Sequence, residues 1–264
     1  MAQDTKTWLI TGCSSGFGEL FVSGTLKKRL ANLANTGASV LELDITASAS
    51  QIEATMSHAW SLYPNGIDVV VNNAGYVLSG AVEELTQTEH VFRVNFHGPM
   101  NIIRALLHHL RAKGNGTLCF MSSQSAWYAD TGASAYCATK AALEAAVECL
   151  SKELAIFTPN LELLIIEPGY FNTRLFSNIN HVPARVPEYA EFNASVRDSA
   201  KAVSIMIDLI KGTGVANGKV VPLRVPLGSD GWRIIGARGE SKVKICDDWE
   251  EVAKSTDLNS SREE

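Results

Sequence analysis

Apolar runs alternate along this chain with stretches in which apolar positions recur every three or four residues. The runs fall at 8–11, 40–45, 67–71, 117–121, 161–166 and 220–225. Several lack strict in–out alternation, as strands covered on both faces do. Between them, Ile52, Met56, Ala59 and Trp60 share one helical face, and Pro64-Asn65-Gly66 then breaks the pattern as a turn. Thr86-Gln87-Thr88-Glu89 reads as a capping box, a hydroxyl at the cap and a Glu three residues on, opening another helix. A long Ala-rich helix is predicted over 134–157, ending at Thr158-Pro159, and a further one over 194–211, ending at Gly212. Strand and helix in alternation predict an α/β chain: a Rossmann-like, doubly wound parallel sheet with helices on both faces.

Composition narrows the class without changing that picture. Of 264 residues, 46% are hydrophobic and 19% charged, which suits a folded enzyme and is too apolar for a disordered chain. The net charge of −5 with no basic block argues against nucleic acid or an anionic membrane as partner. No run reaches the length of a membrane span, and MAQDTKTWLI leaves no room for a secretory signal. Cys13, Cys119, Cys137, Cys149 and Cys246 are odd in number and form no CxxC pair, so free thiols and a cytoplasmic location are expected. With no interior linker or repeat, residues 1–253 read as a single domain and 254–264 as a loose polar tail.

The first strand runs into Gly12-Cys13-Ser14-Ser15-Gly16-Phe17-Gly18, after which a helix begins. One glycine permits the tight turn, one admits a pyrophosphate close to the backbone, and one allows close helix–strand packing. The helix N-terminus adds free N–H groups and partial positive charge. Three such glycines also occur in plain tight turns, but the position after the first strand favours a dinucleotide. No Gly-Lys-Ser/Thr follows, which excludes a mononucleotide P-loop.

Tyr136-Cys137-Ala138-Thr139-Lys140 sets a phenol and an ammonium on one helix face. Ser123, at the end of the strand over 117–121, precedes Tyr136 by thirteen residues. Strand ends and following helices meet at the mouth of a parallel sheet, where ligands bind. Hydride delivery to a carbonyl carbon leaves charge on oxygen that needs a proton donor. For the reverse reaction a phenol near pKa 10 must be made more acidic, by roughly 3–4 kcal/mol for two to three units. An ammonium about 4 Å away contributes on the order of 4 kcal/mol at an effective dielectric near 20. The expectation is therefore a Tyr136 acidified by Lys140 with the help of an oxidised nicotinamide.

Taken together, six motifs resemble the short-chain dehydrogenase/reductase family: TGCSSGFG (11–18), NNAG (72–75), Asn95 within VNFHG, Ser123, YCATK (136–140) and EPGYFNT (167–173). The resemblance extends from Trp8 to about Gly228. It implies Tyr136 as general acid/base, Ser123 holding the substrate oxygen, and Lys140 tuning the tyrosine and binding the nicotinamide ribose. Asn95 would support a proton-relay water. The implied cofactor contacts are Ile10, Thr11, Gly12, Ser14, Gly16, Phe17 and Gly18 at the turn, then Asp44, Asn72, Ala74 and Gly75 on the adenosine side. Tyr136 and Lys140 join them, with Pro168, Gly169, Phe171 and Thr173 beside the nicotinamide. No metal is implied. The wording is similar to fungal oxidoreductases related to 17β-hydroxysteroid and retinol dehydrogenases, many of which act in secondary metabolism; a biosynthetic role follows by analogy only. The resemblance also implies a tendency to homodimers or homotetramers, which family members often form through helices corresponding to 86–113 and 134–157.

One departure matters. Only 26 steps separate Gly18 from Asp44, where the family fits a helix, a second strand, another helix and a third strand. One strand and one helix are thus expected to be missing after the first βα unit, with Lys27-Lys28-Arg29 at the junction. By spacing alone, Asp44 would bind the adenosine ribose 2′-hydroxyl and favour NAD. By wording, LELDIT matches the family's third strand, whose aspartate sits near the adenine, and this more specific match is preferred. The basic residue that selects NADP would have lain in the missing stretch, so the cofactor reads as NADP or NAD, leaning to NADP.

On the substrate side, 170–193 carries Tyr170, Phe171, Leu175, Phe176, Ile179, Val182, Tyr189 and Phe192 among polar residues. A loop of that length and apolar content reads as a lid over a hydrophobic small molecule. Trp127 and Tyr128 would add a second wall. The resulting expectation is an NAD(P)-dependent oxidoreductase interconverting a secondary alcohol and a ketone. A rival from another class is a non-catalytic Rossmann-like binding or regulatory protein with a damaged adenosine pocket. A third reading keeps the tyrosine–lysine pair for epimerase or dehydratase chemistry.

Overall fold

The computed structural model describes residues 6–14, 16–26, 38–169, 180–181 and 199–255. Strands β1 (Trp8–Ile10), β2 (Val69–Asn72), β4 (Gly116–Met121), β5 (Leu161–Pro168) and β7 (Arg224–Leu227) form one sheet in the order β1-β2-β4-β5-β7. Every pairing in it is parallel, with Leu9 opposite Val70, Val71 opposite Cys119, Phe120 opposite Ile165 and Glu167 opposite Pro226. Two short strands, β3 (Leu78–Ser79) and β6 (Asn180–His181), pair separately.

Side-chain alternation divides the core between the two faces of this sheet. Val70, Leu118, Phe120 and Ile165 point to one face. There they meet Ile52 and Met56 of α2 (Ala49–Ser61), Ile102 and Leu106 of α4 (Gly98–Lys113), and Leu143 and Val147 of α5 (Ser134–Phe157). Val69, Val71, Cys119, Met121, Leu164 and Ile166 point to the other face. They meet Phe21 of α1 (Gly16–Leu26) and Ala202, Val203 and Met206 of α6 (Ser199–Lys211). Two-sided burial is what makes these strands read as continuous apolar runs.

The helix over 134–157 forms with the bounds its sequence predicts. Other expectations need correction. Residues 40–45 form no strand; Leu41, Leu43 and Ile45 instead lay their side chains on the α2/α4 core, and Ile45 sits against Gly98. Among the described residues of 38–48 there is neither helix nor strand, in keeping with a shortened segment after the first βα unit. Thr86 does not cap a helix: α3 (Thr88–Phe92) starts after Gln87 without a side-chain cap bond. The capping box belongs to α2, where Ser48 and Gln51 satisfy each other's backbone N–H groups. The last strand lies at Arg224–Leu227 rather than 220–225; α6 runs over the described part of the helix expected at 194–211, and 194–198 lie outside the described residues. A further long helix, α7 (Ser229–Asp248), follows β7, and α8 (Glu250–Lys254) comes after it.

All five cysteines are free, and no cluster of three potential metal ligands occurs among the described residues. Nor is any described helix long and apolar enough to cross a membrane.

Candidate active site

The carboxyl ends of β1, β2, β4 and β5 deliver Thr11, Asn73, Ser123 and Gly169 to one edge of the sheet, the edge at which open α/β sheets bind ligands. At the first of these ends the chain turns at Gly12, whose φ of 68° lies in the left-handed region. A Cβ on Gly18 would lie 2.2 Å from the Gly12 carbonyl oxygen, so the start of α1 can approach the strand only with glycine there. Gly16, with φ 58°, makes a second left-handed step at the head of α1. Side chains from the next strand lock this turn. Thr11 Oγ1 accepts from the backbone N–H groups of Asn73 and Ala74, each at 3.0 Å, and Asn73 Nδ2 donates to the carbonyls of Thr11 at 2.9 Å and Gly12 at 3.3 Å. Ser14 is exposed beside it, whereas Ile10 and Phe17 pack into the α1/α6 core and reach the turn through their backbone.

The segment after β2 joins this turn to the second cluster. A Cβ on Gly75 would sit 3.1 Å from Asn95 Oδ1 and 3.8 Å from Lys140 Nζ, so the backbone here passes close to both groups. Asn95, 1% exposed, lies in a π-helical turn (Arg93–His97) between α3 and α4, a widening of the helix often found at functional positions. Its Oδ1 accepts from Tyr76 N–H at 3.1 Å, and its Nδ2 donates to Tyr76 O at 2.9 Å and to Thr139 Oγ1 at 3.2 Å. Thr139 in turn donates to the Tyr136 carbonyl at 2.7 Å.

Tyr136 and Lys140 occupy the first turns of α5, both 5% exposed. Ser123 Oγ accepts from Ser125 N–H at 3.2 Å, donates to Pro168 O at 3.5 Å, and hydrogen-bonds the Tyr136 phenol in a way that favours the phenolate. Burial outweighs that help and pushes the phenol well above its ordinary value of 10. Lys140 Nζ donates to Met121 O at 2.7 Å and lies 5.6 Å from the centroid of the Tyr136 ring. The phenol is held protonated, the form that donates. Lys140 itself is brought down from 10.5 to about 8 by burial, with Glu144 pulling in the opposite direction.

Gly169 donates its N–H to Leu227 O at 2.9 Å, and a Cβ there would come within 2.5 Å of the Asp230 carboxylate. Asn72, 2% exposed, has no hydrogen-bond partner for either side-chain amide atom, and neither has Gln124, 1% exposed, beside Ser123. Asp44 is not part of the cluster. It is exposed, and its Oδ1 accepts from Thr46 N–H at 2.8 Å and Thr46 Oγ1 at 2.7 Å, which holds its carboxyl below the usual range. Phe171, Thr173 and most of the expected lid over 170–193 lie outside the described residues.

Sequence reasoning missed Asn73, the second asparagine of NNAG, whose local signal was simply its neighbour's role. It also missed a polar group behind the site. Trp127, anticipated as a pocket wall, donates its indole N–H to Glu167 Oε1 at 2.9 Å, and Arg224 and Lys242 lie over its ring at 5.8 and 5.2 Å. The Tyr128 side chain is exposed.

The left-handed glycine turn at the head of α1, the unpartnered Asn72 amide and the buried Lys140 ammonium fit a nicotinamide dinucleotide, whose pyrophosphate such a turn and helix start would receive. Comparison with known proteins gives the same class. The short chain dehydrogenase family model matches residues 6–184. Oxidoreductase claN of Passalora fulva is 36% identical over 191 residues, covering 65% of this chain and 84% of the relative. Oxidoreductase BOA17 of Botryotinia fuckeliana is 28% identical over 273 residues, covering 94% and 98%. That alignment is longer than the 264 residues of this chain, so the relative carries residues this chain lacks. A solved short-chain dehydrogenase from Streptomyces avermitilis superposes with a TM-score of 0.84 at 31% identity, covering 97% of this chain and all of its own. A second, from Burkholderia cenocepacia in complex with NADP, shares the fold at a TM-score of 0.70 and 19% identity, covering 93% and 98%. This chain accordingly belongs to the short-chain dehydrogenase family and is an NAD(P)-dependent dehydrogenase/reductase.

Proposed function

We propose that the protein reduces a ketone on a hydrophobic small molecule to a secondary alcohol, with NADPH as donor. The observation that carries this reading is that Ser123, Tyr136 and Lys140 lie buried together at the mouth of the sheet, with the Lys140 ammonium 5.6 Å from the centre of the Tyr136 ring. A nicotinamide cofactor supplies the hydride when bound. The backbone of Gly12, Ser14, Gly16 and Gly18 would hold its pyrophosphate, while Asn72, Ala74 and Gly75 would line the adenosine side. Lys140 would turn its free N–H groups to the ribose hydroxyls, and Pro168 and Gly169, followed by Phe171 and Thr173, would flank the nicotinamide. Ser123 would hold the substrate oxygen and Tyr136 would give it a proton. Asn95, anchored between Tyr76 and Thr139, would position the water that reprotonates the tyrosine.

Asp44 supports NADPH over NADH. The acid that could bind a 2′-hydroxyl and repel a 2′-phosphate instead closes a local turn on Thr46. Residues 1–253 would act as one domain, with 170–193 as the lid and copies associating through α3–α4 and α5. The test is a titration with NADPH and NADH followed by nicotinamide fluorescence, then a panel of hydrophobic ketones. Micromolar NADPH binding, weaker NADH binding and ketone-dependent loss of NADPH absorbance are expected. Absence of binding at millimolar cofactor would overturn the reading.

A further inference from the structure

Behind Lys140 and Ser123, on the side away from the glycine turn, lies a polar cluster that the proposed reaction does not use. Glu144 follows Lys140 by one turn of α5 and is 4% exposed; Glu167, on β5 next to Pro168, is 1% exposed. Ser122 Oγ donates to Glu144 Oε1 at 2.5 Å. Arg224 of β7 bonds Glu144 through Nη1, reaches Glu148 Oε2 at 2.9 Å through Nη2, and stands 3.5 Å from Glu167 Oε1. The Trp127 indole closes the other side of Glu167 at 2.9 Å. Three carboxylates, two of them buried, thus face one guanidinium. Glu148 also has Lys152 Nζ at 2.8 Å, whereas Glu144 and Glu167 crowd together on the one guanidinium, where each charge raises the cost of the other.

We propose that Glu144, set between Arg224 and Lys140 and crowded against Glu167, is a titrating group whose charge decides how far Lys140 stays an ammonium as the pH rises. Glu144 is then a positioning residue for the ribose contact of Lys140, acting through the charge of the lysine, and this role rests on the site reading given above. The proton balance is simple. Passing upward through neutrality, Glu144 releases one proton to solvent, its charge goes from 0 to −1, and the added negative charge appears one helical turn from the Lys140 ammonium. The charged groups facing Glu144 are Lys140 and Glu148 on its own helix, Glu167 on β5 and Arg224 on β7; the end of β4 offers only the neutral Ser122 hydroxyl. Lys242 of α7 reaches no nearer than the Trp127 ring. Burial first, and Glu167 second, push the Glu144 carboxyl from 4.5 up to about 7, and Glu144 is the group that raises Lys140 against its own burial. Glu144 thus charges in the pH range just below that in which Lys140 would lose its proton.

The test is a side-chain NMR titration of the full chain labelled with ¹³C at glutamate carboxyls and lysine ε-carbons, without cofactor. In the wild type, one carboxyl resonance should titrate near neutrality and vanish in Glu144→Gln. In that variant the Lys140 midpoint should fall by about one unit, the low end of the effect of a neighbouring opposite charge. Glu144→Asp should restore it. Glu167→Gln should lower the Glu144 midpoint by about one unit or more by removing the like charge. A Glu144 carboxyl titrating below about pH 5 in the wild type, or a Lys140 midpoint unmoved in Glu144→Gln, would overturn the proposal. If Glu144→Gln does not fold, the wild-type and Glu167→Gln titrations decide. Because the readout is side-chain charge, failure to bind NADPH with these titrations intact would defeat only the functional reading. NADPH binding without them would defeat only this one.

Discussion

Replacing Lys140 by methionine should stabilise the fold while abolishing what the site is for. A lysine of ordinary pKa 10.5 is held here at about 8, so the native state gives up this proton 2.5 units earlier than the unfolded chain does. At 1.36 kcal/mol per unit, burying the ammonium costs about 3 kcal/mol wherever both states are protonated. Methionine fills similar volume without charge, but it leaves the Met121 carbonyl without its 2.7 Å donor, a loss of about 1 kcal/mol. The net expectation is a gain of about 2 kcal/mol near neutral pH. The folded pKa is depressed, so the cost is fully present below about pH 8 and is relieved as pH rises from there toward 10.5. The advantage of the variant should therefore shrink to near zero by about pH 10. Urea unfolding of wild type and Lys140→Met at about pH 6.5 and about pH 10 measures this directly, with an unchanged slope as the control for two-state behaviour. A variant less stable than wild type by about 1 kcal/mol or more at the lower pH would refute the reasoning, since Lys140 would then be a structural anchor rather than a charge held in place at a cost.

Other outcomes follow from the glycine turn and the core. Thr11→Val removes the acceptor for two backbone N–H groups and should cost about 2 kcal/mol, read by thermal or urea unfolding, and weaken NADPH binding at least tenfold. In Gly18→Ala the new Cβ meets the Gly12 carbonyl at 2.2 Å, so α1 must move away from β1; a loss of about 1–3 kcal/mol and of dinucleotide binding should appear in the same two assays. Phe120→Ala opens a cavity between β4 and the helices of the α2/α4/α5 face and should cost about 3–5 kcal/mol by urea unfolding.

Much of this molecule was legible in the sequence because its signals are local. The Ala-rich periodicity from Ser134 to Phe157 and the apolar runs of β2, β4 and β5 fix the parallel sheet, and the glycine turn, Ser123, Tyr136 and Lys140 follow from their places on it. What sequence could not give depends on tertiary partners. Residues 40–45 have strand composition, but their apolar side chains lie on helices without pairing to β1. The helix α7 is largely exposed and polar, so it offers no periodic apolar face to read. The i,i+4 relation brings Lys140 over the Tyr136 ring, at 5.6 Å from its centroid, but only the fold shows that a carbonyl at the end of β4 takes one of its N–H groups. Glu144 and Glu167 stand 23 residues apart, and nothing local announces that Arg224 joins them.

The central claim is that the Tyr136 phenol gives the proton that completes carbonyl reduction. It is tested by single-turnover oxidation of bound NADPH with the best hydrophobic ketone, in wild type and Tyr136→Phe. Loss of a general acid predicts a rate lower by about 10²–10⁴-fold, with NADPH affinity within about twofold of wild type. An unchanged rate in Tyr136→Phe would contradict it.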